Sequence, residues 1–282
     1  MNGSALLQRV QATLGTEIIQ REAVSGGNIA QSEKLQLASG ETVFLKRGGN
    51  DFLQEANGLA ELAKPQVIQI PEVIAVESDF LVLEWIPTSS VPPDSKHAAA
   101  FGSQLAKMHR HSSELGFGFY EHNRIGATRQ QNLPRSSDWA SFFWQHRLQF
   151  QFELAEQNGL ASQNLAKSFV TLEARMREAF SGSEEPASLI HGDLWSGNVL
   201  FGTQGQAVLI DPATYYGHRE AELAMTRLFG GFSSAFYQGY KTEWPLPAGH
   251  EKRDPFYRLY HVLNHLNLFG SSYLAQAETL AR

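Results

Sequence analysis

The chain has no cysteine. A disulfide scaffold, a thiolate zinc site and a cysteine nucleophile are therefore excluded. No stretch approaches the ~20 apolar residues that a membrane span needs. The first residues, MNGSALLQRVQATLG, lack a basic start followed by an apolar run, so no secretory signal is expected. Charge is scarce: 18% of the 282 residues are charged, with 23 basic against 29 acidic and a net charge of −6. That balance argues against a nucleic-acid surface, which needs a basic patch. An apolar content of 42% excludes a disordered chain. What remains is a globular sequence with room for about two domains or lobes at ~150 residues each. It is expected to be soluble and cytoplasmic, with no nucleic-acid or membrane partner.

Periodicity divides the chain. Leu6, Leu7, Val10 and Leu14 recur at helical spacing, and Gly15 stops the run. Alternation predicts strands over 34–37 and 42–46, joined by a turn at 38–41. A Gly-rich bend, Ser25-Gly26-Gly27-Asn28, precedes them. Residues 51–64 read as a helix with Phe52, Ala56, Leu59 and Ala63 on one face, closed by Pro65. Two more strands are expected over 68–76 and 80–83. Residues 88–95 then hold two prolines and three serines, the best lobe boundary in the sequence. Beyond it the chain reads as mostly helical, with helices over 137–155, 165–180, 220–228 and 256–269 and one apolar β stretch over 189–210. The expected fold is α+β and bilobal: a small antiparallel-sheet lobe over 1–87 and a larger, mostly helical lobe over 88–282.

The chemistry lies in His191-Gly192-Asp193-Leu194-Trp195-Ser196-Gly197-Asn198. It fits His-x-Asp-Leu-x-x-x-Asn, the catalytic-loop pattern of kinase-like phosphotransferases. Two short strands follow, with Asp211 directly after the second. A hairpin returns the chain to its starting end, so Asn198 and Asp211 come side by side. A side-chain carbonyl and a carboxylate suit Mg²⁺, which takes one or two carboxylates plus phosphate oxygens. Asp193 stands where a carboxylate can accept the proton of an incoming hydroxyl. Any one of these residues alone is an ordinary turn or cap residue; the joint spacing carries the signal.

The first lobe supplies a complement. Lys46 shares a strand face with Phe44, opposite Val43 and Leu45, and can reach nucleotide phosphates. Glu55 on the next helix is placed to pair with it. Backbone N–H groups of Gly26, Gly27 and Asn28 can cap phosphates, although the bend is neither a Walker A nor a Gly-x-Gly-x-x-Gly sequence. Glu84, Trp85 and Ile86 occupy the position of a hinge whose backbone binds an adenine edge. His261 and His265 stand at i and i+4 with no third ligand nearby, which favours structural or substrate-side hydrogen bonding over zinc.

These segments resemble the fructosamine kinase family, the ketosamine-3-kinases. The resemblance rests on the catalytic loop with Trp195, on Leu209-Ile210-Asp211-Pro212-Ala213, and on Tyr215-Tyr216-Gly217-His218-Arg219-Glu220. Similar stretches recur from about Gly26 to the C-terminus. The resemblance implies ATP-dependent phosphorylation of the 3-hydroxyl of a ketosamine, a sugar joined to an amine by glycation. The 3-phosphate then leaves spontaneously with the sugar fragment, freeing the amine. It further implies that Asp193 is the base, Asn198 and Asp211 hold Mg²⁺, Lys46 binds phosphate and Glu55 orients Lys46. Many members carry a cysteine after the two loop glycines, where this chain has Asn28. A redox-switched loop disulfide is thus excluded, and a monomer or weak homodimer is expected.

A sugar has polar rims and apolar faces, so its site should combine hydrogen-bonding groups with aromatic rings. Trp195, Tyr216, His218 and Arg219 follow the catalytic elements and are expected to line it. Each also has a plainer role open to it in packing, lobe contact or capping. An alternative acceptor is another small hydroxylated amine, of the aminoglycoside, choline or homoserine type. A non-catalytic nucleotide-binding scaffold would lack one of Lys46, Asp193, Asn198 or Asp211, and all four are present.

Overall fold

The computed structural model describes residues 3–24, 30–49, 52–89 and 91–282. Helix α1 (Gly3–Leu14) leads into β1 (Ile18–Ala23), β2 (Gln31–Leu37) and β3 (Thr42–Arg47). Helix α2 (Phe52–Ala63) and strands β4 (Val73–Glu77) and β5 (Phe80–Glu84) complete the first lobe. The five strands form one sheet in the order β1-β2-β3-β5-β4, antiparallel at every pairing. Two-residue alternation gives this sheet two apolar faces. Leu35, Leu37, Val43, Leu45, Phe80 and Val82 pack with Val10 of α1. Leu81 and Leu83 pack with Phe52, Ala56 and Leu59 of α2 on the other face. Each fully buried large side chain is worth about 1.5–3 kcal/mol, so both helices are held firmly to the sheet. The same alternation puts Phe44 and Lys46 toward α2.

Two local expectations are corrected here. Over 68–76 only the last residues join the sheet, because Pro71 removes a ladder donor. The residues before it turn the other way, and Gln69 bridges Val208 of the second lobe. Strand β1 carries no apolar alternation and was not foreseen. It is an exposed edge held by its pairing with β2 and by a forked ion pair from Arg21 to Glu33 at 2.7 and 3.0 Å.

The second lobe begins with α3 (Ser95–His109), capped by Asp94, whose carboxylate accepts the His97 N–H at 2.8 Å. Strand β6 (Ser112–Ser113) and the hairpin β7 (Asn123–Ile125) and β8 (Thr128–Gln130) follow. The helix expected over 137–155 is α4 (Trp139–Phe143) and α5 (Phe150–Gln157), joined by a π-helical segment, Trp144–Gln149. Then come α6 (Gln163–Phe180), β9 (Ala187–Ile190), the hairpin β10 (Val199–Phe201) and β11 (Ala207–Leu209), and β12 (Tyr215–Gly217). Helices α7 (Arg219–Leu228), α8 (Ser234–Glu243), α9 (His250–Phe269) and α10 (Leu274–Ala281) close the chain. Helix α8 escaped the periodicity reading because glycine at its centre lowers helix propensity. Gly239 serves close packing instead: a Cβ there would stand 2.0 Å from the Ala99 carbonyl oxygen of α3.

Side chains of α9 such as Leu259, Val262, Leu263 and Leu266 lie in the main core with Phe142, Phe143, Leu172 and Met176. Among the described residues no helix is long and apolar enough to cross a membrane. The lobes are tied together behind the cleft. The Tyr216 hydroxyl donates to Glu61 at 2.8 Å, and the Thr214 hydroxyl donates to the Gly58 carbonyl at 3.2 Å.

Candidate active site

Strand β9 delivers the chain into His191, fully buried just before the cleft-lining Asp193. The imidazole Nε2 donates to the Ile210 carbonyl at 2.8 Å, and Nδ1 accepts the Asp193 N–H at 3.3 Å. Burial holds this histidine below its ordinary pKa, so it is a neutral brace. Gly192 follows at φ +83°, and a Cβ there would stand 2.1 Å from the Ala213 carbonyl oxygen. Only glycine fits that turn.

The β10–β11 hairpin closes as its spacing predicts. The Ile210 N–H donates to the Asn198 carbonyl at 3.1 Å. The Asn198 amide Nδ2 donates to the Asp193 carbonyl at 2.9 Å, and lies 3.3 Å from the Asp193 carboxylate and 3.5 Å from the Asp211 carbonyl. Asp211 itself has φ +55°, in the left-handed region. Asp193 is half-buried. Burial, helped by the nearby Asp211 carboxylate, pushes its pKa up to about 7.

From the opposite lobe, Lys46 Nζ lies 2.7 Å from Glu55 Oε1 and 2.6 Å from Asp211 Oδ1. Burial opposes the lysine charge, but the two carboxylates outweigh it and keep Lys46 protonated. Burial raises the Glu55 pKa, and Lys46 pulls against that rise. The sequence separation between Lys46 and Asp211 is 165 residues, so this one ammonium links the two lobes across the cleft.

The cleft measures about 860 Å³. Ser32, Lys46 and Glu55 form one wall, and Asp193, Asn198 and Asp211 the floor. Trp195, Phe229, Asn264, His265, Phe269 and Tyr273 line the cleft as well. Trp195, Phe229 and Phe269 are 39%, 42% and 51% exposed, which is unusual for rings of this size.

The structure thus brings Lys46, Glu55, Asp193, Trp195, Asn198 and Asp211 to one cavity. Gly26, Gly27 and Asn28 lie outside the described residues. Glu84 ends β5, and the Trp85 ring packs against Phe44 and Lys34 at 6.4 and 4.9 Å. Glu84, Trp85 and the buried Ile86 do not contribute to the cavity wall.

Three expected acceptor residues are corrected. Strand β12 turns the chain into the interior, so Tyr216, His218 and Arg219 do not line the cavity. Tyr216 is the lobe contact to Glu61. His218 caps α7, accepting the Glu220 N–H at 3.3 Å and donating to the Ser183 carbonyl at 2.9 Å. Arg219 forks onto Glu185 with both bonds at 2.7 Å and lies 3.8 Å over the Trp244 ring.

Sequence reasoning missed the role of Glu222. This buried carboxylate on α7 sits beneath the catalytic loop and accepts the backbone N–H groups of His191 and Gly192. An acid among Ala221, Leu223, Ala224 and Met225 was the available signal, because a buried acid needs a reason. Phe229, Asn264, Phe269 and Tyr273 were also missed, and His265 was seen only as half of a histidine pair. Asn264, His265 and Phe269 share α9, Tyr273 follows it and Phe229 ends α7, so they reach the cleft only through the packing of α7 and α9.

A small antiparallel sheet over a helical lobe, with Lys–Glu on one side of a cleft and Asp, Asn and Asp on the other, defines a kinase-like phosphotransferase. The family model for fructosamine kinase matches residues 3–282, and the chain belongs to that family. It is an ATP-dependent phosphotransferase. It is 38% identical over 288 residues to Probable ketoamine kinase slr1563 of Synechocystis sp., covering 98% of this chain and 95% of that protein. It is 38% identical over 275 residues to Protein-ribulosamine 3-kinase, chloroplastic, of Oryza sativa subsp. indica, covering 94% and 78% of the two chains. A crystal structure of a fructosamine-3-kinase candidate from Thermobifida fusca superposes with a TM-score of 0.89 at 31% identity, covering 99% and 97%.

Proposed function

We propose that the chain transfers the γ-phosphoryl group of ATP to the 3-hydroxyl of a ketosamine, a fructose or ribulose adduct of an amine. One observation carries the reading. The candidate base Asp193 shares a cavity with the Lys46–Glu55–Asp211 cluster and with a wall of exposed rings and amide groups suited to a sugar. The family membership supports it.

In this mechanism Asp193 accepts the proton of the 3-hydroxyl, the hydroxyl oxygen bonds to the γ-phosphorus, and ADP departs. A base works best when its pKa lies near the working pH, and Asp193 is raised toward that range. Lys46 orients phosphate oxygens, and Glu55 holds Lys46 in reach. Asn198 and Asp211 offer two hard oxygen donors that suit Mg²⁺. With one carboxylate and one amide oxygen from the protein, the ion would be completed by phosphate oxygens. Bound there, Mg²⁺ would neutralise phosphate charge. Gly26, Gly27 and Asn28 would cap phosphates, and the backbone of Glu84, Trp85 and Ile86 would meet the adenine edge, with the lobes dividing at 87/88.

The test is ATP consumption with Mg²⁺ against a fructosyl-amine, a ribulosyl-amine, an aminoglycoside, choline and homoserine. Turnover with a ketosamine alone is expected. Turnover with one of the other three would keep the catalytic assignments and overturn the substrate.

A further inference from the structure

We infer that Asn264 and His265 form a subsite that reads the amine-bearing end of the acceptor. Asn264 Nδ2 donates to the oxygen on C2, and His265 Nε2 accepts a hydrogen bond from the ammonium on C1. The inference rests on the ketosamine reading and goes one step further, to the groups that distinguish a ketosamine from a plain sugar.

The orientation of Asn264 is set by a one-way chain of amides. Asn158 Nδ2 lies 3.3 Å from Asn267 Oδ1. Asn267 Nδ2 donates to the Gln151 carbonyl at 2.9 Å and to Gln151 Oε1 at 2.8 Å. Gln151 Nε2 donates to Asn264 Oδ1 at 3.1 Å. Reversing Asn264 would set amine against amine. Its Nδ2 is left with no partner among the described residues. Asn264 is only 2% exposed, yet it lines the cleft. The unpartnered donor opens onto the cleft, where a ligand acceptor can meet it.

His265 supplies the opposite polarity. A carbonyl can only accept, so the 2.8 Å contact from Nδ1 to the His261 carbonyl places the proton on Nδ1. Nε2 then carries a bare lone pair, with no partner among the described residues. The ring lies 4.8 Å from Phe229, 5.4 Å from Phe269 and 5.1 Å from Tyr273. Aromatic faces around a neutral acceptor favour a cation that also donates a hydrogen bond. A ketosamine presents that pair on adjacent carbons: an ammonium N–H on C1 and an accepting oxygen on C2. A sugar without the amine has the oxygen and lacks the cation. The i, i+4 partner His261 is no co-ligand for a metal, since its side chain is buried and no metal cluster exists among the described residues.

The experiment compares 1-deoxy-1-butylaminofructose with the ether 1-O-butylfructose, alike except for nitrogen or oxygen on C1. The wild type is expected to prefer the amine by about tenfold or more in kcat/KM. His265→Leu should bring that ratio close to one by raising the acceptor KM, with the KM for ATP changed by less than about twofold. A wild-type ratio near one, or an equal loss for both substrates in His265→Leu, would overturn the assignment. Turnover of neither sugar by the wild type would instead overturn the ketosamine reading itself.

Asn264→Leu should raise the KM of both substrates by about tenfold, because both carry the C2 oxygen. If that variant does not fold, the wild type is assayed with the amine lacking the C2 oxygen. A loss of about tenfold supports the contact, and an unchanged rate removes it.

Discussion

The Glu222 carboxylate accepts the backbone N–H of His191 at 2.8 Å and that of Gly192 at 2.9 Å, so the loop bearing Asp193 hangs from α7. His109 Nε2 lies 3.2 Å from the same carboxylate and donates to it. Burial pushes the Glu222 pKa up, but these donors outweigh burial and keep it ionised, below its ordinary value. Gln at this position keeps the shape and turns one acceptor into a donor facing a backbone N–H. Glu222→Gln is expected to lower kcat about 10–100-fold with little change in the KM for ATP, and to cost about 1–3 kcal/mol of stability. Urea unfolding and steady-state kinetics measure the two effects. Unchanged kcat with reduced stability would make Glu222 a purely structural acid.

Lys46→Met leaves the carboxylates of Glu55 and Asp211 facing each other without a cation. Breaking a fully buried pair costs ~3–5 kcal/mol, and the Asp211 side chain is 37% exposed, so about 2 kcal/mol is expected here. The larger effect is on catalysis, where misplaced phosphates should reduce kcat by about 10²-fold. Loss of cooperative melting without a specific kinetic defect would make Lys46 a structural residue.

The legible parts of this molecule follow from local periodicity. Alternation in β3 put Lys46 on the α2 side, and the 3.6-residue repeat put Glu55 opposite it; the 2.7 Å contact is the sum of two local patterns. The pairing of Asn198 with Asp211 follows in the same way from the length of one hairpin. The aromatic lining of the cleft has only part of such a signature: His265 and Phe269 are i, i+4 neighbours on α9. Phe229 and His265 stand on different elements and meet at 4.8 Å only because α7 and α9 pack together. Nearness to the catalytic loop in sequence misplaced Tyr216, His218 and Arg219. Pairing with β9 carries β12 into the core, away from the cavity.

Acid should destabilise the fold through its buried histidines. Burial depresses the pKa values of His109, His191 and His218 and pushes that of His261 down to about 3. In the unfolded chain each returns to about 6.5. Below that pH the unfolded state binds more protons than the folded state, so stability falls as pH falls. Each such histidine contributes about 1.4 kcal/mol per pH unit until its own folded pKa is reached, and Asp193, raised in the fold to about 7, offsets one of the four over that range. Urea midpoints measured from pH 8 to pH 5 should therefore be nearly flat at the top of the range and drop below about 6.5. His261→Phe should flatten the drop by one proton, provided the ring is accommodated. A profile that stays flat to pH 5 would show that these imidazoles are already protonated in the fold.

With Asp193 as the proposed base, the same region gives catalysis its own pH limit, by a different group. Asp193 carries a pKa of about 7 because burial and the Asp211 carboxylate both oppose its charge. Below that value the unliganded enzyme holds Asp193 protonated, and a protonated carboxyl cannot take the acceptor proton. At limiting ATP concentration, kcat/KM reports the unliganded enzyme, and its acid limb should fall with a midpoint near 7. Asp211→Asn removes the larger of the two carboxylate influences, Glu222 being the other, so the limb should move to lower pH, together with weaker Mg²⁺ dependence of nucleotide binding. The direction is the discriminating feature: loss of a structural contact would lower the rate at every pH, and only loss of the Asp211 charge moves the midpoint. An acid limb near 4 in the wild type would place Asp193 in an open, solvated setting, at odds with a half-buried base beside Asp211.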